Sequence, residues 1–270
     1  GLEREIGSLT PGRRADVILT SDLKTLPIET VIARGQIVAE DGVCLAECPH
    51  YDWPPHARQT VNMGKDLGAD DFQITAPAGA NAVTANVIGV VENQAPTRAL
   101  KFELPVTEGR VQSTGEVCQI ALVERHRGTG TVVNALVSGF GYQGPMAMAS
   151  TVAHDSHHMI VVGTDTDNMA MAANRLREVG GGISIFKDGA ELAMVELPIA
   201  GLMSDNPASD VAAKTEAMMQ AMRDCGCTLN NAYMQHSLLA LVVIPELRIS
   251  DLGLVDVRSF EFIPLLEPVS

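Results

Sequence analysis

The chain has 270 residues, 46% of them hydrophobic and 19% charged, enough for one large domain or two modest ones around a buried core. Its 19 basic and 33 acidic residues leave a formal charge of −14, which repels phosphates at long range and excludes nucleic acid as an expected partner. No apolar run approaches the roughly 18 to 20 residues that cross a bilayer, and no basic head precedes an apolar block at the start, so neither a membrane nor a signal peptide is expected.

Met is absent at position 1, so the N-terminus is expected to be a cut or an incomplete start. Ala15 to Thr20, ADVILT, is a compact β-rich run, and TVIARGQIVAEDG reads as two strands that turn at Arg34-Gly35 and end at Asp41-Gly42. So small a piece needs further strands to complete a sheet, and its open edge favours association. ECPHYDWPPHARQ, with Pro49, Pro54 and Pro55, reads as a linker or strap.

From about Val61 the pattern becomes mixed α and β. Strands are expected at Ala82 to Val90, Glu116 to Glu124, Val132 to Val137 and Met159 to Val162, and a hairpin around Asp188-Gly189 in ISIFKDGAELAMVEL. A helix is expected where Asp165 or Thr166 caps Met169, Ala172, Leu176 and Val179 at helical spacing, closed by a glycine run. A second is expected in SDNPASDVAAKTEAMMQAMRDCG, with Val211, Met218, Met219 and Met222 as core-filling residues. The five cysteines, Cys44, Cys48, Cys118, Cys225 and Cys227, are an odd number, which argues for reduced thiols in a cytoplasm.

Several constellations bear on chemistry. His154, Asp155, His157 and His158 fall within five residues of TVAHDSHHMIVVGT. On a helix the three histidines would share a face and could converge on one cation. The flanking AMASTV and MIVVGT favour instead a strand, a sharp turn and a second strand, and with them an interface or hydrogen-bonded structural role. GFGYQG, Gly139 to Gly144, matches the glycine pattern of a dinucleotide site, with Asp165 about twenty residues on. The intervening residues carry no amphipathic helical stripe, so tight turns between packed strands are the preferred reading. Glu124 to Gly130, ERHRGTG, could hold an anion, although a solvated loop is expected. Cys225 and Cys227 have no second pair for a zinc site, and neither Ser156 nor Ser204 sits in a nucleophile elbow.

The N-terminal IGSLTPGRRADVILTSDLKTLPIETVIARGQIVAEDG resembles the segment that closes the small β-sandwich of amidohydrolase-superfamily enzymes. GFGYQGPMAMASTVAHDSHHMIVVGTDTDNMAMAANRL, GGISIFKDG, LPIAGLMSD and IPELRISDLGLVDV together resemble the C-terminal domain of the bacterial adenine deaminase family. The resemblance covers nearly the whole chain. It implies an α/β fold of mixed α+β character: residues 1–50 as part of the β-sandwich, 51–60 as linker and 61–270 as the C-terminal α/β domain.

That resemblance also implies a cytoplasmic, metal-dependent hydrolase of purine salvage. It would convert adenine and water to hypoxanthine and ammonia with manganese or iron, as a homo-oligomer. In the family the principal metal ligands lie on a catalytic barrel, beginning with an H-x-H motif. No two of the seven histidines here are separated by a single residue, so no barrel ligand is carried onto this sequence. The chain is expected to be a fragment inactive alone, with His154, Asp155, His157 and His158 facing the barrel or a neighbouring subunit. Two alternatives are a non-catalytic module that docks on a separately made barrel, and a self-sufficient metallohydrolase built on those four residues.

Overall fold

The computed structural model describes residues 1–47 and 49–267, and it divides into two compact units, Gly1–Asp52 and Trp53–Ser270. Cys48 lies outside the described residues; Cys44, Cys118, Cys225 and Cys227 are free thiols. The fold is mixed α and β, as expected.

The first unit is an antiparallel sheet of β1 (Val17–Leu19), β2 (Thr30–Ala33), β3 (Gln36–Glu40) and β4 (Val43–Cys44), in that order. Arg34-Gly35 and Asp41-Gly42 make its two tight turns. All four residues have positive φ, between 47° and 81°, the conformation that matches the twist of paired strands. No described residue of this unit is buried, and Leu9, Ile18, Leu23, Ile37 and Val43 are exposed.

In the second unit, the segment expected as linker or strap contains one helical turn, α1 (Pro55–Arg58). Beyond it stand β5 (Ala82–Gly89), β6 (Arg98–Thr107), β7 (Arg110–Val111), β8 (Val117–Val123), β9 (Val132–Ser138), β10 (Met146–Ser150) and β11 (Met159–Gly163). Helix α2 (Thr166–Val179) follows, then β12 (Gly182–Lys187) and β13 (Ala190–Glu196). The nine strands β5 to β13 form one sheet in the order β13-β12-β10-β11-β8-β9-β5-β6-β7. Every neighbouring pair is antiparallel except β5 with β9.

The middle of this sheet is covered on both faces, which is why VCQIALV, MAMAS and MIVVG are nearly unbroken apolar runs rather than alternating ones. Alternation survives as a choice of face. Ala121, Val123, Ala147, Ala149, Met159 and Val161 pack under α2 and under Met63, Leu67 and Phe72, which follow the strap in sequence. Ile120, Leu122, Met146, Met148, Ile160 and Val162 face the other way. There they meet α3 (Ala208–Asp224), α4 (Ala232–Leu238) and a small sheet of β14 (Leu247–Ser250), β15 (Gly253–Asp256) and β16 (Glu261–Ile263). Met218 and Met222 are buried in this layer, with Val211 and Met219 half-buried beside them.

Asp165, not Thr166, caps α2, its carboxylate accepting the Asn168 N–H at 2.9 Å. Gly180 ends the helix at φ 85°, and the Gly181 N–H donates to the Leu176 carbonyl at 2.8 Å. Gly181 is also where the chain approaches itself, since a Cβ there would lie 2.5 Å from the Gly201 Cα. Replacing the cap, Asp165→Ala, is expected to lower stability by about 1 kcal/mol, read from chemical denaturation of the otherwise intact chain.

GFGYQG does not open a helix. It links β9 to β10, two strands, with Gly139, Gly141 and Gly144 all at positive φ and Phe140 stacked on Tyr142 in the core at 5.2 Å. With Asp165 engaged as a helix cap, the dinucleotide pattern is a set of tight turns. No described helix is long and apolar enough to cross a membrane.

Candidate functional site

The two polar segments singled out in the sequence, ERHRGTG and AHDSHH, gather at one end of the nine-stranded sheet, where β8 and β10 finish and β9, β11 and β12 begin. The β8–β9 hairpin loop runs from Glu124 to Thr131. The expectation of a solvated loop fails for its first two residues, because Glu124 is 6% and Arg125 1% exposed.

Each of these charges is buried because the backbone satisfies it. The Glu124 carboxylate accepts the N–H groups of His126, Arg127 and Thr129 at 2.6 to 3.0 Å and the Thr129 hydroxyl at 3.1 Å. Burial alone would push its pKa up, yet these donors outweigh it and hold the group at about 2. The loop's anion is therefore its own glutamate. Arg125 donates from Nε to the His157 carbonyl at 2.6 Å, from Nη1 to the Thr60 carbonyl at 3.1 Å and from Nη2 to the Ala200 carbonyl at 3.3 Å. Burial lowers its pKa to about 10, so it stays a cation at neutral pH. One side chain thus joins the strap, the β10–β11 loop and the segment after β13.

His154, Asp155, His157 and His158 lie in that β10–β11 loop, residues 151–158, between the two expected strands. Thr151 anchors the loop, donating to the Gly201 carbonyl at 2.5 Å and accepting the Gly182 N–H at 2.8 Å. His157 sits at φ 49°, and its Nδ1 accepts the Ala153 N–H at 3.3 Å. Its ring meets the edge of His154 at 5.6 Å. Burial lowers the His157 pKa, with His154 and Arg125 acting in the same direction.

His158 turns elsewhere. Its ring lies 4.8 Å from that of His126, and its Nε2 is 3.5 Å from Asp251 Oδ2. Its Nδ1 is buried without a hydrogen-bond partner, and burial lowers its pKa against the opposing pull of Asp251. Asp155 is exposed. The four residues therefore divide between two histidine pairs and solvent.

A metal ion does not fit this arrangement. The Nδ1 lone pair of His157 is engaged with Ala153, which leaves the proton on Nε2 and no free lone pair to donate. Among the described residues no group of three or more His, Cys, Asp or Glu side chains is placed to hold a metal. The site offers instead a cleft of about 420 Å³ lined by His126, Arg127, Thr129, His158, Asp251 and Leu252, among others.

Sequence reading missed Thr151 and Asp251, and it placed Arg125 in a loop that could hold an anion rather than at a buried junction of three segments. A buried arginine leaves no local pattern, and Asp251 reaches His158 from the β14–β15 turn. One signal did exist: TVAHDSHH and LPIAGLMSD, the two most distinctive segments, both supply a carbonyl to Arg125. Cys118, Cys225 and Cys227 do not have the character of reactive thiols, because burial raises the pKa of Cys225 and Cys227 and pushes Cys118 up to about 12.

A family model described as the adenine deaminase C-terminal domain matches residues 94–261. The adenine deaminase of Roseobacter denitrificans is 85% identical over 267 residues, covering 99% of this chain and 44% of that protein. That of Ruegeria sp. strain TM1040 is 78% identical over 268 residues, 99% of this chain and 45% of that protein. The Moorella thermoacetica adenine deaminase is 39% identical over 268 residues, 98% of this chain and 45% of that protein. The chain thus spans about 45% of the length of the curated relatives it matches. With the match running through the loops joined by Arg125 and through the helices on both sides of the sheet, the chain belongs to the adenine deaminase C-terminal domain family.

Proposed function

We propose that the chain is the C-terminal portion of an adenine deaminase, which replaces the amino group of adenine with oxygen from water and releases hypoxanthine and ammonia. The observation that carries this reading is the run of proteins named adenine deaminase that match 98 to 99% of the chain at 39 to 85% identity. In this reading the enzyme works in cytoplasmic purine salvage, as a homo-oligomer. Its manganese or iron belongs to a catalytic barrel outside these residues, a reading supported by the absence, among the described residues, of a side-chain group placed to hold a metal. Residues 1–50 complete a β-sandwich in the whole enzyme, a role supported by the exposed apolar side chains of the first sheet.

The β10–β11 loop is read as an interface with the rest of the enzyme. Asp155 and Ser156 are exposed there and share a small cleft with the exposed Val243. The purified 270-residue chain, supplied with manganese or iron, is expected to bind no stoichiometric metal and to leave adenine unchanged, whereas the full-length protein deaminates it. Turnover by the 270-residue chain with bound metal would overturn this reading. In the full-length protein, His154→Ala with His157→Ala is expected to alter turnover or assembly; if metal content, turnover and assembly all stay the same, the interface role is wrong.

A further inference from the structure

At the opposite end of the sheet from the histidines, one residue of β8 breaks the pattern of its strand. Six of the seven residues in VCQIALV are apolar, and the seventh is Gln119, 6% exposed. Its neighbours across the ladder are Gly163 of β11 and Leu136 of β9, neither of which offers a side-chain hydrogen bond. The Gln119 side-chain amide makes no hydrogen bond seen among the described residues and is not among the fully buried unpartnered groups, so it opens onto the solvent of a cleft. From an otherwise apolar strand, two donors and an acceptor are thus presented to that cleft.

Gln119 lines a cleft of about 300 Å³ between the β6–β7 hairpin and the start of α2. Thr107, Glu108 and Arg110 form one wall and Thr164, Asp165 and Thr166 the other. Ile74 and Val111, both buried, supply apolar contact. Asp165 uses a single carboxylate oxygen, Oδ1, for the cap and the Asn168 amide. The second oxygen has no partner among the described residues.

The charges in the cleft decide the class of ligand. One guanidinium, Arg110, shares the lining with two carboxylates, Glu108 and Asp165, and Arg110 also reaches Asp70 at 3.3 Å. A free phosphate would gain from the positive end of α2 but meet a net negative wall. A purely apolar ligand would leave the amide and hydroxyls unmet. An uncharged planar ring with a donor and an acceptor side by side meets both conditions. A glutamine amide pairs with such an edge through two hydrogen bonds, as it does with the N6 and N7 positions of adenine.

We propose that this cleft binds an uncharged nucleobase edge, carried by a free base or a nucleoside, with the Gln119 amide forming the paired contact and Asp165 accepting a further N–H or hydroxyl. The inference rests on the cleft alone and stands independently of the function proposed above. Binding would tie the β6–β7 hairpin to the start of α2 and raise the thermal midpoint by linkage.

The test is a titration of the 270-residue chain with adenine, hypoxanthine, uracil and adenosine in turn, followed through the NMR signal of the Gln119 side-chain amide. At least one probe is expected to move that signal saturably, with a Kd below about 1 mM. The adenosine arm separates a nucleoside site from a base site. Gln119→Leu and Gln119→Glu, each checked for an unchanged fold by circular dichroism, are expected to weaken binding at least about tenfold. No saturable shift with any probe at 10-fold that concentration, or equal affinity in a folded Gln119 variant, would overturn the proposal. So would stronger binding of inorganic phosphate than of any base, which would make the cleft an anion site. None of these readouts depends on turnover, so this inference and the proposed deaminase function can fail separately.

Discussion

Arg125→Met is expected to destabilise the second unit by about 3 to 5 kcal/mol, because three carbonyls lose a buried cationic donor together. Thr60, His157 and Ala200 come from three separate, half-buried stretches of chain, and each would lose the donor that ties its carbonyl to the other two. At about 2 to 4 °C per kcal/mol for a domain of this size, the midpoint should fall by about 10 °C. Arg125→Lys should recover little, since one ammonium cannot span the directions that Nε, Nη1 and Nη2 serve. Thermal and urea unfolding followed by circular dichroism would measure both variants. A loss near zero for Arg125→Met would show that the three segments hold together without it. Arg248, also 1% exposed and bound to the Leu238 and Ile244 carbonyls, supplies an internal comparison for the same kind of loss.

The second large effect is a loss of stability on acidification that belongs to His236. This residue of α4 is fully buried, with Phe140 edge-on at 6.2 Å, and neither ring nitrogen meets hydrogen-bond geometry. Burial pushes its pKa down to about 4, the Met148 backbone opposing this only in part. In the unfolded chain the group titrates near 6.5, so between those values the unfolded state holds the extra proton. Its contribution is therefore complete above about pH 6.5 and lost as pH falls towards 4. Between pH 7 and pH 5 the loss is about 2 kcal/mol. His236→Leu should remove that slope while changing stability at pH 7 by less than about 1 kcal/mol, because an unpaired imidazole gives way to an apolar side chain of similar size. Urea midpoints of the two proteins at pH 7, 6 and 5 would decide it. Parallel lines would assign the acid sensitivity to other groups, with His157 and His158 the first to examine, since burial lowers their pKa values as well.

Much of the architecture was legible because burial and turn stereochemistry leave local marks. Apolar runs placed β5, β8, β9 and β11 to within a residue or two, Asp188-Gly189 marked the β12–β13 hairpin, and a cap, a stripe and a glycine marked α2. The loop position of His154 to His158 followed from the β-favouring residues on either side. Helix α4 and strand β6 were not foreseen. The first is short, and the second lies near an edge of the sheet, where alternating exposure dilutes the apolar signal. The expectation that ERHRGTG is a solvated loop failed because its charges are met by backbone groups, which composition does not display.

By itself, then, the sequence determined the types of several elements, the hairpin turns, the helix cap and the family, all of which are written in short-range spacing and residue chemistry. The tertiary structure alone decided which groups meet. Arg125 finds three carbonyls, Glu124 becomes the anion of its own loop, His158 pairs with His126 and Asp251, and Gln119 is left facing a cleft. Those partners are chosen by strand order and register, which bring distant segments to the same end of one sheet, and no local pattern records that choice.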